Sequence, residues 1–446
     1  MENILEKITS LAKRRGFIYP GSEIYGGLSG TWDYGPMGVE LKRNIKQLFW
    51  RSIVQQRDNI VGIDTAILMH PRVWEASGHV ENFTDPLREC STCKKRFRTD
   101  ALATEKNKEG LCPSCNAPLG ETRQFNLLME TSLGAVENGK QKVYLRGEIT
   151  QGVHVNFKQV MQSSRVTIPF GVAQIGKAFR NEITPGQLSF RSREFEQMEL
   201  QFYIQPNKKE ATRWFDYWKQ ERMSWYQSLG LSKKLLRFRE HKPDERAHYA
   251  QSACDIEFKL GNEWKEMEGI HNRGDWDLRR HQEYSGEDMR YFDPESKEKY
   301  IPWVIETSGG VDRAALFFLA DAYSEEKTDK ETRIVLKLHP QLAPYKVAIF
   351  PLLSNKPELV TLARSVYDNL KVMWMVDWDD RGNIGKRYRY QDEAGTPYCI
   401  TVDFDSLNQN DVTVRNRDTM KQERVLISEL PDYLTNKLNT SNNVLI

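Results

Sequence analysis

A densely charged stretch, "GKAFRNEITPGQLSFRSREFEQMELQFY" (residues 176–203), also carries apolar residues at the alternating spacing of a β-strand. Its dipeptide Pro185-Gly186 predicts a turn, so the stretch is expected to form a hairpin. One interpretation is a solvated hairpin with cross-strand ion pairs, each contributing less than about 1 kcal/mol. The other is a site for a ligand with phosphate, an aromatic base and an amine, in which arginine neutralises phosphate, phenylalanine stacks on the base and carboxylates accept from amino groups.

A second stretch, "ETSGGVDRAALFFLADAY" (residues 306–323), predicts the end of a strand, a glycine turn and a helix. Gly309 and Gly310 permit close approach of a ligand to the backbone, and the helix N-terminus favours anionic groups. Arg313 lies in the first turns of that helix. Together with the charged hairpin, this stretch favours the ligand-binding interpretation.

Four cysteines form two C-x2-C pairs separated by eighteen residues: Cys90, Cys93, Cys112 and Cys115. This spacing predicts tetrahedral coordination of a structural Zn²⁺, because four thiolates leave no open ligand position. Their polar neighbours argue against simple packing as small hydrophobic residues. The basic residues beside them either contact nucleic acid or form a solvated loop: Lys94, Lys95, Arg96 and Arg98.

The elements that must position these residues follow from periodicity. An amphipathic helix over residues 1–16 and a second helix over 39–57 precede an apolar strand that ends at Pro71. Strands alternate with turns from 121 to 205, a helix covers 207–230, and two paired strands follow. Pro340 and Pro344 mark a linker, after which strand–helix alternation predicts a small α/β domain.

The composition is that of an ordinary globular protein, with 446 residues, 39% hydrophobic and 28% charged residues, and a net charge of +2. The N-terminus lacks the apolar segment of a signal peptide, and no run of about 18 apolar residues predicts a membrane span. We therefore expect a cytoplasmic protein without a membrane partner. In that compartment six cysteines indicate thiols or metal ligands, and the isolated Cys254 and Cys399 are expected in the core.

The order of these features resembles a class II aminoacyl-tRNA synthetase. The helix over 39–57 with its strand resembles motif 1, "FRNE" with "RSREFEQME" resembles motif 2, and "GGVDR" resembles motif 3. Further stretches resemble glycyl-tRNA synthetases of the dimeric, single-chain type: "GTWDYGPMGVELKRN", "HPRVWEASGHVENFTDP", "REHKPDERAHYA", "EWKEMEGIHNRGDWDLRRH" and "GKRYRYQDEAGTPYCITVDFD".

The resemblance implies an α+β fold: an antiparallel-sheet catalytic core flanked by helices in residues 1–340, a zinc-ribbon-like insertion at 88–120, and a mixed α/β anticodon-binding domain at 341–446. It also implies a homodimer that uses ATP with Mg²⁺, glycine and tRNA(Gly). Arg180, Arg191 and Arg313 would act on the phosphates, and Glu266 would be a Mg²⁺ ligand. The implied ATP-binding residues are Arg180, Asn181, Glu182, Phe190, Arg191, Ser192, Arg193, Glu194, Phe195, Glu266, Met267, Gly310, Val311, Asp312 and Arg313.

The resemblance implies a glycine pocket built from carboxylates, which bind the ammonium group and exclude larger side chains. The chain departs from the family pattern at Gly147, where the family usually has proline, and at Ile149-Thr150, where it has a pair of small residues. The implied glycine-binding residues are Arg98, Glu148, Phe195, Glu196, Gln197, Met198, Glu199, Glu306, Thr307, Ser308, Gly309 and Gly310.

Two alternatives to a glycine–tRNA ligase remain open on the sequence. One is a synthetase-like accessory protein that binds nucleic acid without aminoacylation, although Arg180 and Arg313 are both present. The other is a class II enzyme for another small amino acid. We expect His79, His248 and His271 either to support the site residues from behind or to be structural, and Trp374 and Trp378 to lie in the core. The basic residues of the last domain either contact tRNA or form a solvated face: Lys386, Arg387, Arg389, Arg415 and Arg417.

Overall fold

The computed structural model describes residues 4–99, 102, 110–135, 139–183, 188–247, 249–327 and 332–439. The predicted turn at Pro185-Gly186 and His248 lie outside the described residues. None of the helices in the described ranges combines the length and apolar character needed to cross a bilayer.

The helices of the described residues alternate with strands along the whole chain. They are α1 (Ile4–Arg14), α2 (Pro36–Trp50), α3 (Pro71–Ala76), α4 (His79–Asn82), α5 (Thr150–Val155), α6 (Phe157–Ser164), α7 (Lys208–Ser228), α8 (Trp276–Ser285), α9 (Val311–Ala322), α10 (Pro357–Leu370), α11 (Ile384–Ala394), α12 (Phe404–Gln409) and α13 (Leu430–Asn439).

The strands fall into one large sheet, one medium sheet and several small ones. They are β1 (Ile18–Pro20), β2 (Trp32–Tyr34), β3 (Ile60–Gly62), β4 (Leu68–Met69), β5 (Thr84–Glu89), β6 (Arg96–Arg98), β7 (Arg123–Asn126), β8 (Met129–Leu133), β9 (Gln141–Leu145), β10 (Phe170–Phe179), β11 (Glu194–Ile204), β12 (Leu236–Glu240), β13 (Ser252–Leu260), β14 (Glu263–Gly274), β15 (Tyr291–Phe292), β16 (Lys299–Tyr300), β17 (Trp303–Gly310), β18 (Tyr323–Lys327), β19 (Thr332–Leu336), β20 (Val347–Pro351), β21 (Val376–Trp378), β22 (Tyr398–Val402), β23 (Asp411–Asn416) and β24 (Gln422–Leu426).

A seven-stranded sheet in the order β12-β13-β14-β17-β11-β10-β3 forms the centre of the larger, N-terminal part of the chain. The sheet is antiparallel as predicted, except that the edge strand β3 runs parallel to β10. Helices α1, α2, α7 and α9 cover one face with buried apolar side chains such as Leu11, Phe49, Trp218 and Phe317. Burial of these side chains is the main force that holds the helices on the sheet.

The charged hairpin forms as predicted, because β10 and β11 pair from Phe170–Tyr203 to Phe179–Glu194. Alternation in β11 sends Met198 into the apolar core and leaves Glu199 on the opposite face. The three arginines of the hairpin lie beyond the paired residues. They therefore sit on the segment that connects the two strands.

Three other predicted elements are wrong in detail. The strand expected to run to Pro71 is two short strands in different sheets, and Pro71 begins α3. The region from 121 to 205 contains helices α5 and α6 in addition to strands. The helix expected over 39–57 begins at Pro36 and continues beyond Trp50 as a π-helical turn, Arg51–Gln55.

The C-terminal domain has a five-stranded mixed sheet in the order β21-β20-β22-β23-β24, with its own core against α10 and α13. Strand β20 is parallel to both neighbours, whereas β23 is antiparallel to β22. The segment after Pro340 is held against helix α2, since the Asn44 amide donates to the carbonyl oxygens of Leu342 and Ala343 at 3.1 and 3.0 Å.

Candidate active site

A cavity of about 340 Å³ opens on the face of the large sheet opposite to α7 and α9, above β11, β14 and β17. Its walls come from the loop between β10 and β11, the start of α9 and the residues between β9 and α5. Gly309 forms part of its floor. A Cβ atom there would lie 2.8 Å from Glu268 Oε2 and 3.2 Å from Met198 Cε, so this position excludes a side chain.

Three buried carboxylates, Glu148, Glu199 and Glu306, meet at one end of the cavity. The Thr150 hydroxyl links two of them, because its Oγ1 lies 2.6 Å from Glu199 Oε2 and 3.1 Å from Glu306 Oε2. The Ser308 hydroxyl donates to Glu199 Oε1 at 2.6 Å. A cluster of carboxylates at a closed cavity end is suited to an ammonium group.

A buried guanidinium keeps two of these carboxylates ionised. Arg273 donates to both oxygens of Glu306, at 3.2 and 3.0 Å, and to both oxygens of Asp277. Burial alone would raise the pKa of Glu306, but Arg273 and His271 outweigh burial and lower the pKa to about 2. Burial likewise opposes ionisation of Glu148, but His79 and Arg273 hold the pKa of that carboxyl well below its ordinary range.

Glu199 has the opposite electrostatic balance. Burial raises the pKa of Glu199 to about 8, and the neighbouring charges of Glu306 and Glu148 act in the same direction. Hydrogen bonds from Ser308 and Thr150 offset only part of this effect. The surroundings therefore favour the ionised form at Glu306 and Glu148 and the protonated form at Glu199.

Arginines and aromatic rings line the other end of the cavity. The Arg180 guanidinium lies 5.1 Å from the centre of the Phe195 ring, and Arg313 lies 4.8 Å from the centre of the Phe190 ring. Arg191 Nε is 3.3 Å from Glu182 Oε2. Cationic groups beside flat aromatic faces provide contacts for phosphates and for a purine base.

Helix α2 supports this end of the site through a charge network that the sequence did not reveal. Lys42 Nζ lies 2.7 Å from Asp312 Oδ1 and 2.9 Å from Glu196 Oε2, and Lys46 also contacts Glu196. Asp312 Oδ2 accepts from the Glu196 backbone N–H at 2.6 Å. Glu196 and Asp312 therefore join α2, β11 and α9 into one unit beneath the arginines.

The structure brings most of the predicted site residues to the cavity wall. Those that line it are Glu148, Arg180, Glu182, Phe190, Arg191, Ser192, Phe195, Glu196, Gln197, Glu199, Glu266, Met267, Glu306, Ser308, Gly309, Gly310, Asp312 and Arg313.

Seven predicted site residues lie outside the cavity lining, each for a local reason. Met198, Thr307 and Val311 are fully buried in the fold. Glu194 pairs with Lys177, and Arg193 donates to the Ser29 carbonyl at 2.7 Å. Arg98 donates to Asp85 at 2.6 Å in the insertion. The seventh, Asn181, donates its backbone N–H to the carbonyl of Leu127.

The cavity also contains residues that sequence reasoning did not assign to the site. Thr150 follows β9, whereas His241 and Tyr249 both lie in the stretch "REHKPDERAHYA", which resembles the family but was not assigned to the site. His271, expected to support the site residues from behind or to be structural, lines the cavity and contacts Glu306 at 2.8 Å. The departure of Ile149-Thr150 from the family pattern was the one sequence feature that pointed to Thr150.

Comparison with known proteins agrees with this geometry. Residues 133–323 match the tRNA synthetase class II core domain (G, H, P, S and T), and residues 346–437 match the anticodon binding domain. The chain is 52% identical to the glycine–tRNA ligase of Treponema denticola over 432 residues, covering 96% of this chain and 95% of the relative. It is 51% identical to that of Caldanaerobacter subterraneus, covering 97% and 98%. The chain belongs to the glycine–tRNA ligase family.

This membership confirms the family resemblance drawn from the motifs. A solved structure of prolyl-tRNA synthetase from Cryptosporidium parvum, with halofuginone and AMPPNP, has a TM-score of 0.65 with 17% identity, covering 98% of this chain and 78% of the other. At that identity the similarity supports the fold alone. The predicted class II α+β fold is confirmed.

The four cysteines of this member of the glycine–tRNA ligase family come together as predicted. Cys90 Sγ lies 3.4 Å from Cys115 Sγ, and Cys93 Sγ lies 3.6 Å from Cys112 Sγ. All four sulfurs lie within 4.8 Å of one another. Tetrahedral Zn–S bonds of about 2.3 Å place sulfurs roughly 3.8 Å apart, so the cluster fits Zn²⁺.

Three of the predicted tRNA-contacting arginines are buried and serve the fold of the C-terminal domain. Arg387 donates to the Pro351 carbonyl at 2.6 Å, Arg417 to the Leu338 carbonyl at 2.9 Å, and Arg415 to both oxygens of Asp392. The prediction that they contact tRNA is therefore wrong for these side chains. Lys386 and Arg389 are exposed and remain candidates.

Proposed function

We propose that this protein activates glycine with ATP and transfers the glycyl group to the 3′ end of tRNA(Gly). The observation that carries this proposal is the polarity of the cavity, with three carboxylates at one end and arginines beside aromatic rings at the other. Glycyl-adenylate has the matching order of groups, an ammonium, a phosphate and an adenine. The names of the relatives support the same amino acid.

In the first step the glycine carboxylate attacks the α-phosphorus of ATP, a P–O bond to the β-phosphate breaks, and pyrophosphate leaves. Arg180 holds the α-phosphate, Arg191 and Arg313 hold the outer phosphates, and Phe195 stacks on adenine. These cations neutralise charge that builds up on the phosphate oxygens in the transition state. Mg²⁺ supplies further charge neutralisation when it is bound with ATP, and Glu266 on the cavity wall offers it a carboxylate oxygen.

Glycine is selected by charge and by space. Glu148, Glu199 and Glu306 surround the ammonium group and crowd the substrate Cα, which disfavours a side chain there. A pocket that only omits a methylene discriminates by about 1 to 3 kcal/mol. A larger amino acid would also have to displace a charged, hydrogen-bonded carboxylate, which further weakens its binding.

In the second step a ribose hydroxyl at the tRNA 3′ end attacks the carbonyl carbon of glycyl-adenylate, and AMP leaves. The chemistry requires positioning of two bound groups and no covalent enzyme intermediate. The C-terminal domain, residues 341–446, binds the anticodon arm, and exposed Lys386 and Arg389 contact phosphates. Residues 1–340 form the catalytic domain.

The insertion at residues 88–120 holds a structural Zn²⁺ through Cys90, Cys93, Cys112 and Cys115. The donor set supports this assignment, because four thiolates complete the shell of the metal. When bound, the metal stabilises the fold of the insertion and supplies no catalytic group.

The protein acts as a homodimer in the cytoplasm. Helix α2, the element that resembles motif 1, lies at the subunit interface. Exposed apolar side chains close to it in the chain support this placement: Ile24, Tyr25, Leu28 and Val39.

Glycine-dependent exchange between ATP and labelled pyrophosphate tests the proposed function. We expect exchange with glycine and little with alanine or serine, using purified protein and Mg²⁺. Absence of exchange with every amino acid would favour an accessory protein, and faster exchange with alanine or serine would favour another substrate.

A further inference from the structure

Thr150 bridges two carboxylates, and the single proton of its hydroxyl group is not enough for both contacts to be hydrogen bonds. Thr150 Oγ1 lies within hydrogen-bond distance of Glu199 Oε2 and of Glu306 Oε2, at 2.6 and 3.1 Å. A hydroxyl group has one proton and can donate to only one of them. The second contact is a hydrogen bond only if a proton resides on a carboxyl group.

The donors around the two carboxylates indicate which of them carries that proton. Glu306 receives the Arg273 guanidinium, the Gln201 amide at 2.8 Å and the His271 ring at 2.8 Å. In the described part of the chain, the donors that reach Glu199 are the neutral groups of Ser308, Gln197 and Thr150. The ionised form is thus far better stabilised at Glu306 than at Glu199.

Given the proposed function, we propose that Glu199 is protonated in the free enzyme and that the ammonium group of glycine displaces this proton to solvent. In the free enzyme Glu199 donates to Thr150 Oγ1, and Thr150 donates to Glu306. The O–H bond of Glu199 breaks, no other covalent bond changes, and the carboxylate left behind pairs with the substrate cation. Net charge in the pocket is then unchanged by binding.

The environment of Glu199 supports this assignment. Burial places its pKa at about 8. Several other charged or titratable side chains face it or lie directly behind its neighbours: Glu306 on β17, Glu148 before α5, Arg146 after β9, and His271 and Arg273 on β14. Two of these side chains, Glu306 and Glu148, are carboxylates, and both attract the ammonium group of the substrate. Uptake of that cation therefore favours loss of the proton.

Isothermal titration of glycine into the full-length protein, in two pH 7 buffers that differ in ionisation enthalpy, counts the protons released. With a pKa of about 8 in the free enzyme, we expect about 0.9 proton released per glycine at pH 7, and about 0.5 in a second pair of such buffers at pH 8, where free glycine is still almost wholly in its ammonium form. Glu199→Gln should bind glycine more weakly and release almost none. Glu257→Gln, a buried carboxyl paired with Arg237 away from the cavity, should release as much as the unmodified protein.

The glycine KM in pyrophosphate exchange gives a second readout. Competition between the proton and the ammonium group should lower this KM roughly 15-fold between pH 6.5 and 8, with no such change in the KM for ATP. Glycine binding with no proton release and a flat KM would overturn this inference and leave the proposed function standing. Failure to bind glycine at all would overturn both.

Discussion

Arg273 offers the sharpest test of how the site is held together. Its guanidinium is 2% exposed and joins Glu306 to Asp277, and it lies 3.7 Å from the centre of the Tyr249 ring. Replacing it with glutamine leaves both carboxylates buried without a cation. Removing one partner of a buried ion pair typically costs about 3 to 5 kcal/mol.

The pKa of Glu306 gives an independent magnitude. Lowering that pKa from 4.5 to about 2 corresponds to about 3 kcal/mol of stabilisation at neutral pH, and Arg273 is the main cause of the lowering. Because the folded-state pKa is depressed, this stabilisation is present above pH 4.5 and is lost as the pH falls toward 2. Arg273→Gln should therefore lower the free energy of unfolding by roughly 3 kcal/mol or more at pH 7, with a smaller difference below pH 4.

Urea unfolding followed by tryptophan fluorescence measures the stability change, and pyrophosphate exchange measures the KM values. We expect the glycine KM of Arg273→Gln to rise more than tenfold, with a smaller change for ATP. Arg222→Gln is the matched control, since it breaks an equally buried pair with Glu268, at 2.6 Å, outside the cavity lining. It should lose similar stability and keep its glycine KM. Equal stability of Arg273→Gln and the unmodified protein at pH 7, or equal glycine effects in both variants, would refute the reasoning.

Three further outcomes are expected. Glu199→Ala and Glu306→Ala should each raise the glycine KM more than the ATP KM, because each removes a group that contacts the ammonium; an unchanged glycine KM in exchange assays would contradict the pocket assignment. Metal analysis should find about one Zn²⁺ per chain. Cys112→Ser should abolish zinc binding and expose the insertion to proteolysis, since the metal supplies folding free energy. Full zinc content in that variant would disprove the ligand set. The logarithm of tRNA affinity should fall linearly with the logarithm of salt concentration, and the double variant Lys386→Ala, Arg389→Ala should reduce the slope by roughly 0.7 to 0.9 for each phosphate that is no longer neutralised. Lys371→Ala, at an exposed lysine paired with Asp368, is the control. An unaltered slope in the double variant would exclude a role for Lys386 and Arg389 in phosphate binding.

The parts of the molecule that local pattern determines were predictable from the sequence. Alternation predicted the pairing of β10 with β11, and the spacing of Cys90, Cys93, Cys112 and Cys115 predicted their clustering. Gly309 was expected to permit close approach of a ligand to the backbone, and it lies among the residues that line the cavity.

The parts that depend on long-range packing were not predictable. Thr150 reaches Glu306 across 156 positions of sequence, and Lys42 reaches Asp312 across 270. Charge alone did not separate buried arginines such as Arg417 from exposed ones, because burial depends on carbonyl partners supplied by the neighbouring domain. Arg180 lies in the segment that follows β10, and the alternation of apolar and charged residues could not show where the pairing of β10 with β11 ends.

The central claim is that one cavity holds an ammonium group among three carboxylates and an adenine among aromatic rings and arginines. A crystal structure of the protein with a non-hydrolysable sulfamoyl analogue of glycyl-adenylate tests it most directly. The account predicts the analogue's ammonium nitrogen within about 3 Å of oxygens of Glu148, Glu199 and Glu306, with adenine against Phe195. An analogue bound in the reverse orientation, or with its ammonium group in contact with none of these carboxylates, would contradict the account.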